Sequence, residues 1–171
     1  MPRPSTPRAF PRACLLLFLG CLPGCLGYRL TQDLPVGIRS LHVEVFTNAT
    51  PYEEIEYELT RTLEQELRRR GARLAGTGAA DATLSGRIVD YLPAAVASEE
   101  ASGRVITRQV VVTADWSLAR TGDDKPLAGQ AGQKGSEAFF PSPSGGGEGA
   151  ARSEAIRELA QAIVDRIYGS W

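Results

Sequence analysis

Residues 104–118 read RVITRQVVVTADWSL, and the reading of this run decides the fold. Its even positions Ile106, Val110, Val112, Trp116 and Leu118 are apolar, while the odd positions Thr107, Gln109, Thr113, Asp115 and Ser117 carry hydrogen-bonding groups. Successive side chains of a strand point to opposite faces, so the run predicts a long strand with one dry side and one wet side. A sheet built around it offers helices a single surface to cover.

Upstream, Ala82 to Leu92 alternates in the same way, with Leu84, Ile88 and Leu92 opposite Thr83, Ser85 and Arg87. Ile38 to Phe46 alternates too, with Leu41, Val43 and Val45 on one side and Ser40, His42 and Glu44 on the other. A helix is predicted between these strands. Thr50-Pro51-Tyr52-Glu53 has capping-box form, with Thr50 as N-cap, Pro51 at N1 and Glu53 at N3. Ile55, Leu59, Leu63 and Leu67 then recur every four residues as an apolar stripe. Glu53, Glu54, Glu56 and Glu58 crowd the positive end of the helix dipole, Arg68, Arg69 and Arg70 the negative end, and Gly71 is placed as the C′ residue. Downstream, Thr121-Gly122-Asp123-Asp124 makes a turn and a weak strand runs from Leu127 to Phe139. PSPSGGGEG (141–149) is a flexible loop, and Ala150 to Tyr168 is a second helix with Ile156, Leu159, Ala160, Ile163, Val164 and Ile167 on one face. The order β-α-β-β-β-α predicts an α+β two-layer sandwich, two helices packed on one face of a four-stranded mixed sheet. The other face, with Thr83, Ser85, Thr107, Gln109, Thr113 and Asp115, is left open.

The first 25 residues are of a different kind. Arg3, Arg8 and Arg12 form a positive n-region, Ala13 to Leu22 (ACLLLFLGCL) is a short apolar core, and Leu22-Pro23-Gly24-Cys25 follows. Ten apolar residues fall well short of the ~20 that span a bilayer, so this is a secretory signal. A small residue before cysteine, with leucine at −3, resembles the lipobox of bacterial lipoproteins. The resemblance implies cleavage between Gly24 and Cys25 and acylation of Cys25, a lasting anchor at ~0.8 kcal/mol per buried methylene. Phe18-Leu19-Gly20-Cys21 competes, with Phe at the −3 position where Leu fits better. The chain thus divides into a signal peptide (1–24), a lipidated tether (25–37) and one domain (38–171). Removing Arg3, Arg8 and Arg12 from 19 basic against 20 acidic side chains leaves the mature protein acidic, which argues against nucleic acid as a partner. All three cysteines, Cys14, Cys21 and Cys25, lie in the signal or at its edge, so the domain has no disulfide to staple it.

Catalytic and metal-binding constellations are missing from the sequence. His42 is the only histidine, which excludes a Ser-His-Asp or Cys-His set and any ordinary zinc site; it reads as a surface residue. Gly145-Gly146-Gly147 is not followed by Lys-Ser/Thr and is a loop, not a phosphate cradle. Trp116 and Trp171 read as core and C-terminal packing. The chain is read as no enzyme, with no catalytic residue, metal or cofactor.

Taken as a set, these features resemble a known family. Gly27-Tyr28-Arg29-Leu30 follows the lipobox cysteine, then come Leu34-Pro35, Ile38-Arg39-Ser40-Leu41-His42-Val43 and Phe46-Thr47-Asn48. A leucine helix ends in Arg70-Gly71, Ala80-Asp81-Ala82 leads into a strand, and a valine-rich strand reaches Trp116. The pattern is similar to the lipopolysaccharide-assembly lipoproteins, LptE or rare lipoprotein B. Leu26 offsets the tether by one residue from the family's usual Cys-Gly, and the Gly-rich loop is not a hallmark of it. The resemblance implies a two-helix, four-stranded sandwich that plugs the LptD outer-membrane barrel, helps assemble it and binds lipopolysaccharide. It also implies an outer-membrane, lipid-anchored, periplasm-facing location. Arg87, Arg104 and Arg108, on or beside the sheet, are candidate lipopolysaccharide-binding residues by location. The alternative is an outer-membrane lipoprotein that regulates a periplasmic enzyme such as a peptidoglycan synthase; such an activator usually has a long disordered linker, whereas residues 26–37 form a short one.

Mass spectrometry of the mature N-terminal peptide should find acylated Cys25 followed by Leu26. An unmodified Cys25, or a start at Cys21, would refute the assignment.

Overall fold

The computed structural model describes residues 34–35, 37–98, 105–123, 125–141 and 147–169. Six strands form one sheet: β1 (Ser40–Val43), β2 (Thr47–Asn48), β3 (Arg73–Leu74), β4 (Ala82–Ser98), β5 (Val105–Arg120) and β6 (Pro126–Phe139). Their order is β3-β1-β4-β5-β6, with β2 alongside β4 beyond the end of β1. β1 pairs in parallel with β3 and β4, β2 in parallel with β4, and β4-β5-β6 is an antiparallel meander. Helices α1 (Ile55–Arg69) and α2 (Glu148–Gly169) bury their apolar stripes in one core with one face of the sheet. The α+β architecture and mixed sheet match the reading of the sequence; the expected four strands are six. β2 and β3 are two residues each, too short to show a period of two.

The helix α1 ends as expected. Gly71 has φ +84, its N–H donates to the Arg68 carbonyl at 3.0 Å, and the Ala72 N–H donates to the Leu67 carbonyl at 2.9 Å. That pair is a Schellman motif. Its start differs: the helix opens at Ile55, with Glu54 as N-cap at φ 69 and no side-chain cap. Asn48 has captured the presumed capping residue. Both the N–H and the hydroxyl of Thr50 donate to Asn48 Oδ1 at 2.8 Å, while Asn48 Nδ2 donates to the Tyr52 carbonyl and the Glu56 carboxylate. The local Asx geometry outcompetes the capping box.

Two further departures come from breaks in alternation, and a third from a position in the middle of the sheet. The chain bends after Val43, so Val45 is exposed and Phe46 enters the core instead. There the Phe46 ring lies over Gly86; a Cβ on that glycine would come within 2.3 Å of it. In β4 a bulge between Ile88 and Asp90 reverses the parity, so Tyr91 is buried and Leu92, expected inside, is 52% exposed. The Tyr91 hydroxyl donates to Glu148 at 3.5 Å, and burial followed by that carboxylate pushes its pKa up to about 12. Thr113, expected wet, is only 7% exposed because it sits mid-sheet between Asp90 and Lys134 on the flanking strands.

Ser40 was also expected to face water and is buried. One Asp81 oxygen accepts from the Arg39 N–H at 2.8 Å, the Ser40 N–H at 2.9 Å and the Ser40 hydroxyl at 3.0 Å. The Arg39 amide, then the Ser40 hydroxyl, hold the Asp81 carboxyl below its ordinary pKa. A depressed carboxyl stabilises the fold above its unfolded pKa, and that contribution disappears as pH falls through the folded value.

Leu63→Ala should cost ~2–5 kcal/mol and lower the melting temperature by many degrees, with Gln109→Ala close to neutral in the same thermal scans. Gly135 is packed so tightly that a Cβ would meet the Ala155 carbonyl oxygen at 2.1 Å, whereas Gly149 in the first turn of α2 faces open space. Gly135→Ala should therefore destabilise and Gly149→Ala should stabilise by roughly 0.5–1 kcal/mol in denaturant titrations. Asp81→Asn should flatten the loss of stability below about pH 4; an unchanged acid limb would remove Asp81 from that role.

Candidate functional site: the open face of the sheet

The helices leave one sheet face uncovered, and strand register fixes what lies on it. Ser85 stands opposite Ser117 and Arg87 opposite Asp115, with Asp90, Thr113, Ala94 and Gln109 further along. The Ser85 and Ser117 hydroxyls approach to 3.4 Å. A groove of about 910 Å³ opens over this end of the sheet, floored by Ser85, Arg87, Asp115 and Ser117. Glu44, Val45 and Thr47 wall it on one side and Leu127 to Ala131 on the other.

Backbone irregularities shape the groove. The departure from β1 at Glu44 turns Val45 and Thr47 toward it, and Thr47 pairs with Arg87. On the other side β6 bulges opposite Asp115: the register shifts between Ala114 and Trp116, and Gly132 adopts φ +67. The Asp115 carboxylate accepts the Gly132 N–H at 2.7 Å, which holds the bulge in place. The sequence reading missed Glu44, Val45, Thr47 and Gly132; the Gly/Ala/Gln-rich composition of 127–135 was the available hint of an irregular strand.

Beyond Thr113 the face changes character. Leu92, Val96 and Phe140 are exposed on the distal part of the domain, Phe140 to 78%. The open surface is thus polar around the groove and more apolar toward the far end of the β4–β5 hairpin, rather than polar throughout.

The two candidate arginines among the described residues, Arg87 and Arg108, are not brought together. Arg87 is exposed, on the open face at the groove. Arg108 shares the parity of Val110, on the helix side, opposite Ala95 and Phe139. Seven residues of β5 separate it from Asp115, roughly 23 Å at about 3.3 Å per residue. Arg104, Gly24, Cys25, Gly145, Gly146, Trp171 and the side chain of Ile106 lie outside the described residues. His42 is half-buried, its ring within 3.2 Å of the Ala75 carbonyl and 3.1 Å of the Thr77 hydroxyl. Among the described residues no cluster of three or more His, Cys, Asp or Glu is placed to hold a metal ion, and no helix is long and apolar enough to cross a membrane.

The fold has solved counterparts. Lipoprotein B from Nitrosomonas europaea is 15% identical with a TM-score of 0.57, over 85% of this chain and 92% of that one. A minor lipoprotein from Acinetobacter baumannii is 16% identical with a TM-score of 0.53, over 78% of this chain and 94% of that one. At such identities the likeness shows the fold. No curated protein matches the chain. The sequence profile of the family described as LptE, lipopolysaccharide-assembly, matches residues 38–167, the whole of the sheet and nearly all of both helices. The chain belongs to the LptE lipopolysaccharide-assembly family.

Proposed function

We propose that this lipoprotein is a non-catalytic plug and assembly factor for an LptD-type outer-membrane β-barrel that exports lipopolysaccharide. In this reading acylated Cys25 anchors it in the outer membrane, facing the periplasm. Family membership supplies the process, and one observation carries the plug: a sheet with helices on one side and a polar groove on the other. Porin-type barrels have water-filled polar interiors, and hydrogen-bonding surfaces such as Ser85, Ser117 and Asp115 suit such a wall, directly or through bridging water.

Arg87, Arg104 and Arg108 are proposed to meet lipopolysaccharide phosphates. A guanidinium offers a planar fork that matches phosphate oxygens bidentately. Arg87 lies at the groove, whereas Arg108 lies on the helix side of β5. The regulator reading has nothing in the fold or the family match to favour it.

A photo-crosslinking residue at Ser117 or Gln109 should capture a large outer-membrane β-barrel in intact cells, and one at Arg61 on the exposed side of α1 should do so less. Capture of water-soluble periplasmic proteins alone would defeat the plug reading.

A further inference from the structure

We propose that Glu158 holds shut the outer edge of β6, so that an extended strand cannot join the sheet there. β6 ends the strand order, and among the described residues no strand pairs with its outer side. Beyond the Gly132 bulge it runs through seven residues, Gln133 to Phe139, with no further break in register. A regular open edge is a template for another strand, which would add main-chain hydrogen bonds along the row.

Register shows which groups would make those bonds. The Ser136 N–H donates to Glu158 Oε2 at 2.6 Å, so it points away from β5 and out of the sheet. Backbone direction alternates along an antiparallel strand, which turns the N–H and C=O of Lys134 and Ala138 outward as well. Ser136 is the centre of this row, and among the described residues its outward N–H is the one a side chain takes. The Glu158 carboxylate fills the place where the carbonyl of an added strand would sit. A charged acceptor also holds a donor more strongly than a neutral carbonyl does.

Helix packing delivers the carboxylate. Gly135 lets α2 approach so closely that a Cβ there would meet the Leu159 nitrogen at 2.5 Å. Glu158, one residue before Leu159, is exposed and reaches the edge from the flank of α2. Exposed Lys134 puts a charge in the same row, a second deterrent to pairing.

The distal edge of β4 is closed by different means. Beyond Asn48 no described strand pairs with its outer side. Val110 stands opposite Glu137, one residue from Ser136, so its backbone groups turn toward β6. Pro93, across from Val110 on β4, therefore faces outward, where a residue without an N–H breaks the row and leaves the ladder to β5 whole. Register shifts after Ile88 and after Ala95 interrupt this edge further. A proline cannot swing aside, whereas a glutamate can. β6 is thus the edge whose closure depends on one side chain.

The lock stands on this geometry; its use rests on the plug reading. A factor that handles a barrel with unpaired strands must not offer them an edge of its own, and with the edge shut the open face is left to make the contact.

The test uses the full lipoprotein in detergent micelles and a fluorescein-labelled peptide with the β5 sequence of residues 108–118, the strand that β6 pairs with on its inner side. Fluorescence anisotropy should show Glu158→Ala binding the peptide about tenfold more tightly than the wild type. Glu158→Gln, whose carboxamide oxygen still accepts, should stay near the wild type. Glu158→Ala/Ser136→Pro should return to the wild-type level, because proline removes the outward donor as Pro93 does on β4. Glu158→Ala/Ala138→Pro replaces it if circular dichroism shows it misfolded. Amide exchange at Ser136 should quicken about tenfold in Glu158→Ala and change little in Glu158→Gln. Equal peptide binding by the wild type and Glu158→Ala, or binding that the proline leaves intact, would overturn the lock. Loss of barrel capture in the crosslinking experiment, with these results standing, would remove its use in assembly and leave the lock.

Discussion

Contact between α2 and the backbone of β6 at Gly135 sets the geometry on which the rest of the domain depends. The Ala155 carbonyl and the Leu159 backbone approach the place where a Cβ would be, so no side chain can intervene. This close seat lets Leu159, Ile163 and Val164 reach Val110, Val112 and Ala114 in the same core. Gly86 does the same for Phe46 on the other side of β5. Two missing side chains, rather than extra apolar bulk, bring the layers into register, as close packing requires.

That arrangement has a cost for the sheet. With both helices on one side, the other must remain compatible with water or find a partner. The composition of the open face follows: serines, Asp115 and Arg87 about the groove, then Leu92 and Val96 toward the distal end. A surface that changes from polar to apolar along the strands suits a partner whose interior changes likewise, and an isolated soluble domain gains nothing from it.

Much of this was legible from the residues. The α1 stripe, the Arg70-Gly71 stop, the α2 face and the β5 positions Val110, Val112, Trp116 and Leu118 all lie where spacing placed them, because each is a long periodic signal with unambiguous chemistry. Failures cluster where periodicity is interrupted. The bulge after Ile88 exchanged Leu92 for Tyr91, and the bend after Val43 exchanged Val45 for Phe46. Neither bulge nor bend carries a glycine or proline to announce it. At Thr50 two sound local signals compete, and Asn48, two residues upstream of the capping-box pattern, takes both donors of Thr50. The groove was half legible: its floor came from alternation, whereas its walls came from Thr47 and the Gly132 bulge, which only tertiary pairing reveals.

The mixed sheet also orders the events of folding. β4, β5 and β6 are neighbours in sequence and in space, so the meander closes only short loops. β1 must instead find β4 in parallel across α1, with Leu41 beside Ala82. Long-range parallel pairing is slow because loop entropy is lost before contacts repay it. The meander is therefore the expected nucleus, with β1 expected to pair with β4 only after α1 has formed. During that interval the β4 edge is the place where a nascent chain is open to mispairing. Asp81, immediately before β4, grips Arg39 and Ser40 in one step and so latches the late strand as it arrives.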